Sequence, residues 1–312
     1  MDSPTGYIDY LSSILNTVKL YLAYNYCKFH IPIMNPLPKV IDEILCYEPN
    51  LALDNSGYHP DALKILAEFE EKNFWHQSRN LVLKKILKKY TGNQPVNFLE
   101  VGCGNGIVLN ALTELKNFTL TGSDIYLSGL QFARSYIPSI KFIQLDARNI
   151  PFQNEYDVIG CFDVLEHIDE DFKVISEMSK ALKKNGYLFI TVPQYQWMWS
   201  EIDLIDRHKR RYTKHDISKK IADANLQIVY TNCFAFTVFP IMVLSRLFRL
   251  RKYKPNSGKS QPDDKKPEYP ELDIPDYLNH FFRLLMRFDE WLIGKNVKLP
   301  FGGSIVLVAK KI

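Results

Sequence analysis

The chain has 312 residues, 46% of them hydrophobic and 24% charged, a balance that supports one large folded core and excludes wholesale disorder. Its formal net charge of +4 is too small to imply nucleic-acid binding, and no nucleic-acid partner is expected. Five scattered cysteines, Cys27, Cys46, Cys103, Cys161 and Cys233, show no C-x-x-C spacing, which argues against a disulfide framework or a thiolate zinc site and fits a reducing cytoplasm.

The first residues carry acid rather than a basic run, so no signal peptide is expected. Residues 7–31 read as helix, followed by a connector holding Pro32, Pro36 and Pro38. Residues 61–90 also read as helix, with Pro60 and Asp61 as start signals and Lys84, Lys85, Lys88 and Lys89 near the end. The pattern then changes. Short apolar runs at 97–102, 118–124, 141–146, 156–162 and 186–193 alternate with helical periods at 105–116, 127–136 and 169–184. Strands separated by helices predict parallel βαβ units and an α/β, doubly wound sheet. A loop rich in Trp, His and Arg follows Pro193, then a helix (214–224) and a strand (226–234). Residues 252–276 are rich in Pro, Lys and Asp and read as a surface linker; a helix (277–293) then leads into the alternating SIVLVAK, a last strand. The expected organisation is a helical N-terminal extension (1–93), a core (94–235), an apolar and basic cap insertion with linker (236–298) and a final core strand (299–312).

The longest apolar run, Phe234 to Leu244, is broken by Thr237 and Pro240 and falls far short of the ~20 residues that span a bilayer. It leads to Arg246, Arg249, Arg251, Lys252 and Lys254. An apolar stretch flanked by cations suits peripheral contact of 234–254 with an anionic membrane, and suits equally a cap packed over a substrate cleft. Both readings stand.

LEVGCGNG (99–106) puts Gly102, Gly104 and Gly106 between a strand and a helix, where backbone N–H groups can approach a ligand. The spacing is G-x-G-x-G rather than the dinucleotide G-x-G-x-x-G. Glu100 would repel a pyrophosphate and suits a cationic amino-acid group instead. Asp124 closes the second core strand, where an acid can grip ribose hydroxyls, and Asp146 closes the third, beside Ala147.

These landmarks, E-x-G-x-G-x-G, Asp124, Asp146 and FDVLEHI (162–168), resemble those of class I S-adenosylmethionine-dependent methyltransferases. FWHQSRN (74–80), VPQYQWMWSEIDLIDRHKRRYT (192–213) and LPFGGSIVLVAKK (299–311) resemble the type 11/12 branch associated with glycan and lipid pathways and related to ubiquinone-pathway O-methyltransferases. The resemblance implies a Rossmann-like, seven-stranded, mostly parallel sheet with a reversed C-terminal hairpin. It implies S-adenosyl-L-methionine held by Arg79, Glu100, Gly102, Cys103, Gly104, Asn105, Gly106, Asp124, Ile125, Asp146, Ala147, Cys161 and Phe162. It assigns substrate contacts to Trp199, Asp203, Arg211 and Tyr212.

Methylating an oxygen requires a proton acceptor, for which His208 and His167 are the candidates. Asp163, Glu166 and His167 form D-x-x-E-H where ubiquinone-pathway relatives carry a metal-holding E-x-x-E-H; the shorter Asp favours capping, and no metal is expected. The expected acceptor is a small molecule, a glycan or a lipid-linked compound, met in the cytoplasm or at the inner face of a membrane. A nicotinamide-dependent oxidoreductase and a non-catalytic Rossmann-like scaffold are the alternatives; Glu100 and the terminal strand count against the first, the intact acids against the second.

Overall fold

The computed structural model describes residues 37–52, 60–250 and 274–312. The helix expected over 7–31, Pro32 and Pro36 of the connector, and the linker up to residue 273 lie outside the described residues. The chain divides into two units, Met1–Pro38 and Lys39–Ile312, and the elements below all belong to the second.

Nine strands form one sheet: β1 (Lys39–Ile41), β2 (Ile44–Cys46), β3 (Val96–Val101), β4 (Phe118–Asp124), β5 (Lys141–Gln144), β6 (Tyr156–Phe162), β7 (Leu182–Pro193), β8 (Leu226–Phe234) and β9 (Ser304–Lys311), in the order β1-β2-β5-β4-β3-β6-β7-β9-β8. From β2 to β7 neighbours run parallel. β9 inserts antiparallel between β7 and β8, giving the expected reversed hairpin. The seven core strands thus match the expectation, and the count of seven is corrected to nine by β1 and β2. That pair widens the sheet beyond β5 through Leu45↔Ile143 and Cys46↔Gln144, so the extension is not wholly helical.

Helices α1 (Pro49–Ala52), α2 (Pro60–Lys72) and α3 (Phe74–Thr91) precede the core. The single helix expected over 61–90 is two, because Asn73 leaves helical geometry and its side chain accepts from the Trp75 N–H to cap α3. The core connections carry α4 (Ile107–Leu112), α5 (Leu127–Tyr136) and α6 (Asp171–Ala181), then α7 (Glu201–Ile205) and α8 (Lys214–Asp223); α9 (Phe239–Leu250) and α10 (Asp276–Gly294) precede β9. Central strands are apolar on both faces, with Phe98, Leu99, Ile159 and Ile190 fully buried, as a parallel sheet covered on both sides requires. α10 lies along α3, with Phe282 tilted against Phe74 and Asn279 accepting from the Phe74 N–H.

The 234–254 segment does two things at once. Phe234, Val238 and Phe239 are buried, while Ile241, Leu244 and Leu247 of α9 are exposed. Its side chains from residue 248 to 250, and all of 251–254, lie outside the described residues. No helix among the described residues is long and apolar enough to cross a membrane.

Candidate active site

The carboxyl ends of the parallel strands converge on the glycine turn, where open α/β sheets bind ligands. Gly102 has φ 78, and a Cβ there would stand 2.4 Å from a Val164 methyl; no larger residue fits. Gly104 also has positive φ, but a Cβ would meet nothing within 4 Å. Its open face leaves a cradle where backbone can touch a ligand. Asp124 borders that cradle, accepting from the N–H groups of Gly104 (2.9 Å) and Tyr126 (3.0 Å), and desolvation raises its carboxyl above the ordinary range.

Two buried atoms of opposite character face this turn without partners. Glu100 is 2% exposed and its Oε2 accepts no hydrogen bond; Arg79 gives Nη1 to Asp163 Oδ2 at 2.6 Å, yet its Nε has no acceptor. Burial pushes Glu100 up to about 8, against the pull of Arg79. Unpaired buried polar groups are costly, and both would be satisfied by a zwitterionic amino acid, its ammonium on Glu100 and its carboxylate on Arg79. The residues present therefore fit S-adenosyl-L-methionine, with Asp124 available to the ribose.

The other expected contacts divide. Asp146 has both oxygens engaged by Arg148, at 2.7 to 3.0 Å; despite desolvation, those bonds hold its carboxyl below its usual range. An adenine amino group there would share an acid already committed to Arg148. Cys161 has no exposed surface, and Cys103 and Phe162 are buried. Ile125 and Ala147 are half-buried. Asn105 donates to Glu70 on α2 (2.9 Å). Glu70 and His76 escaped the sequence reading. His76 Nδ1 is buried without a partner, and burial, then Arg79, keep its imidazole neutral. Glu70 sits in the acidic run EFEEK, which reads as a solvated helix face.

The loop after β7 closes upon itself. Asp203 is fully buried and accepts from Ser200 N, Ser200 Oγ, His208 Nδ1, Arg211 Nε and Arg211 Nη2 at 2.7 to 3.0 Å. Desolvation opposes its charge, but His208 and the Arg211 fork hold the carboxyl far below the usual range. Tyr212 is 1% exposed, its hydroxyl engaged by Leu165 O and Asp171 Oδ2. Asp203, Arg211 and Tyr212, expected to meet the substrate, thus lie in a largely buried hydrogen-bonded set within this loop and its neighbours. Trp199 is half-buried, and Trp197, Leu204 and Ile205 are exposed.

An ionised carboxylate only accepts, so Nδ1 of His208 donates to Asp203, and Nε2 is the ring nitrogen that this bond does not use. The His208 ring meets His167 edge to face at 4.6 Å between centroids. Burial, then His208, lower His167 to about 4, so both rings are adjacent and His167 is neutral at pH 7. Glu166 is 1% exposed with Oε2 unpartnered, and burial raises its carboxyl well above the usual range. Ligand atoms of Glu166, His167 and His208 lie within 4.8 Å of one another, a spacing that could hold a cation. Asp163 stands apart from that set. It has φ 56, and its oxygens are taken by Arg79 and by Thr191 Oγ1 (3.0 Å).

Comparison with known proteins agrees with this geometry. A family model described as a methyltransferase domain matches residues 74–231, about half of the chain. The ubiquinone biosynthesis O-methyltransferase of Vibrio atlanticus is 31% identical over 122 residues, 37% of this chain and 51% of that protein; its namesake from Rickettsia bellii is 25% identical over 116 residues, 36% and 48%. The chain thus spans about half the length of these relatives. Among solved structures, phosphoethanolamine N-methyltransferase 2 of Haemonchus contortus with S-adenosyl-L-methionine superposes at TM-score 0.53 and 16% identity, covering 83% of this chain and 59% of that one. A chain from the complex of the Haloferax volcanii Trm112 methyltransferase activator with a methyltransferase gives 0.51 and 16%, covering 80% and 95%. At such identities these two show the fold alone. Taken with the glycine cradle and its unpaired Glu100 and Arg79, the family match settles the assignment: this protein belongs to the methyltransferase-domain family, in its class I, S-adenosylmethionine-dependent form.

Proposed function

We propose that the protein is an S-adenosylmethionine-dependent O-methyltransferase acting on a small, apolar or lipid-linked hydroxyl compound. The observation that carries this reading is His208, bonded through Nδ1 to the buried Asp203 and packed against His167. When bound, the cofactor supplies an electrophilic sulfonium methyl group. Glu100, Arg79 and Asp124 hold its amino-acid and ribose ends. His208 Nε2 takes the acceptor hydroxyl proton as the oxygen attacks, and Asp203 stabilises the resulting imidazolium. Burial of the surrounding groups keeps water out of the displacement. The names of the ubiquinone-pathway relatives support oxygen as the methylated atom. The exposed apolar Trp197, Leu204 and Ile205 support an apolar acceptor, and the exposed face of α9 supports peripheral membrane contact through 234–254. Four buried free thiols, Cys46, Cys103, Cys161 and Cys233, suit a cytoplasmic setting.

The test is S-adenosylhomocysteine release with a dihydroxyphenol carrying a ten-carbon tail. His208→Ala should lower turnover by roughly 10²–10⁴, with cofactor affinity within about threefold by calorimetry. Near-normal turnover in the variant removes the base from His208. No release by the unmodified protein with any phenol or amine offered favours a non-catalytic scaffold.

The unpartnered Oε2 of Glu166 favours a second reading, in which Glu166, His167 and His208 hold a divalent cation that draws an acceptor oxygen to the site. Loss of turnover on dialysis against a chelator, restored by Mg²⁺ or Zn²⁺, would select it over the metal-free base.

A further inference from the structure

Helix α10 buries one face and leaves the other bare. Met286, Asp289, Glu290 and Ile293 are buried against the body. On the opposite side Tyr277, Phe281, Leu284, Phe288 and Trp291 are 49–72% exposed. Their spacing of four, three, four and three residues sets them in one line on the helix. Arg287, Lys295 and Lys298 are exposed beside and just beyond this line, with Asp276 as the exposed acid at its far end. Leaving such a row of large aromatic side chains in water is unfavourable, since each would lose apolar area to any covering surface.

We infer that this face of α10 docks on an anionic lipid bilayer, with the aromatic row in the headgroup boundary and Arg287, Lys295 and Lys298 toward lipid phosphates. The composition selects this occupant. A partner helix meeting a three-four seam is best served by Leu, Ile or Val, whereas four of these five residues are aromatic. Tyr277 and Trp291 stand at the two ends, and rings with a polar tip favour the membrane–water boundary. The surplus of exposed cations complements an anionic leaflet. A second copy of the chain is poorly served as well. The row has a footprint on the order of 200 Å² (about 21 Å by about 10 Å), against roughly 800 Å² per partner in a standard interface.

The position of α10 connects this docking with the acceptor side. Asp289, on the buried face, accepts from the N–H groups of Phe236 (2.7 Å) and Thr237 (3.2 Å). α10 thereby holds the segment that enters α9. The inference deepens the apolar-acceptor reading, on which its biological purpose rests, while the docking itself is measured without any acceptor.

The experiment is flotation of the full chain with vesicles of phosphatidylcholine containing 30% phosphatidylglycerol, against phosphatidylcholine alone. The unmodified protein should float with the anionic vesicles and at least tenfold less with neutral ones or in 0.5 M salt. F281D/F288D should lower partition at least tenfold. R287E/K295E should abolish the preference for the anionic lipid. Both variants should bind S-adenosylhomocysteine within twofold of the unmodified protein, which certifies their fold. L244D/L247D probes the α9 face in the same assay. The inference is overturned if the unmodified protein stays with the unbound fraction, or if F281D/F288D floats like it, whichever result α9 gives. It is equally overturned if F281D/F288D converts a sedimenting dimer to a monomer with no effect on flotation, which would make a second copy the occupant. Failure of the unmodified protein to bind S-adenosylhomocysteine would count against the methyltransferase reading and leave the flotation result intact.

Discussion

The glycine turn and the loop after β7 treat charge in opposite ways. On the glycine-turn side, buried polar atoms are left unfinished: Glu100 Oε2 and Arg79 Nε have no partners, and desolvation keeps Glu100 protonated at neutral pH. On the post-β7 side, Asp203 collects five hydrogen bonds and keeps its charge. The first side is completed by a charged ligand. On the second the bonds of Asp203 are complete, the unpartnered Glu166 Oε2 near His208 aside, and aromatic and aliphatic side chains turn toward solvent. On the function proposed above, one side recognises a zwitterion and the other holds a base still beside an apolar acceptor.

The same kind of substitution should therefore act differently on the two sides. Asp203→Ala leaves Arg211, only 8% exposed at its side chain, with no counter-charge. Breaking a buried pair from one side costs about 3–5 kcal/mol, so chemical denaturation should show the variant destabilised by that amount. The charge of Asp203 is favoured by the fold, so its contribution is present above the ordinary carboxylate range and is lost as pH falls below it. Glu100→Gln should leave the fold no less stable, and more stable at neutral pH, because the amide needs none of the protonation that burial forces on Glu100. Equal destabilisation by the two substitutions would erase the contrast between the two sides.

How much of this was legible in the sequence follows from the same contrast. Glycines forced by positive φ at Gly102 and Gly104, and acids at strand ends, are dictated by backbone geometry at fixed spacing, so the glycine turn and Asp124 stand out in the sequence, whereas the pairing of Asp146 with Arg148 and of Asn105 with Glu70 does not. Asp203, Arg211 and Tyr212 looked like groups reaching for a substrate because a sequence shows polarity but not which polar groups satisfy one another. Arg79 was legible by resemblance; its engagement with Asp163 was not, being a contact across 84 residues. β1 and β2 escaped because two three-residue strands joined at Asp42 and Glu43, both with positive φ, are too short to show alternation. Asn73 was hidden inside an otherwise continuous helical pattern.

A smaller effect tests the glycine-turn side by pH. Below about 8 Glu100 is protonated, and it must ionise to receive an ammonium group. Cofactor binding at pH 7 should release about one proton, read as a dependence of calorimetric heat on buffer ionisation enthalpy, and affinity should rise about tenfold from pH 6 to 7. The sign for the free protein is opposite to that of Asp203. A carboxyl raised in the folded state binds protons that the unfolded chain releases, so its effect on stability worsens as pH climbs from about 4.3 toward 8, and bound cofactor should cancel that loss. Glu100→Gln should bind more weakly and flatten the pH dependence. Steep pH dependence surviving in Glu100→Gln would move the titrating group elsewhere, with Asp124 and Glu70, both of raised pKa, the acids that act on this position.

The smallest effect belongs to the loop after β7. Trp197 is 60% exposed, stacked on Tyr195 at 5.5 Å and edge-on to Phe239 at 6.1 Å. It stands near the start of the loop that carries His208. An apolar acceptor would cover the exposed part of the ring both before and during methyl transfer, so the contact is uniform across the reaction. Trp197→Ala should therefore raise KM for the ten-carbon-tailed phenol about three- to tenfold, equivalent to roughly 0.7–1.4 kcal/mol of lost apolar burial, and leave kcat within twofold. The same phenol without its tail should show almost no change, because it never reaches the ring. A fall in kcat at unchanged KM would mean that Trp197 supports the geometry of the His208 loop. An equal KM penalty for the tailless phenol would place the ring against the reacting head of the acceptor rather than its tail.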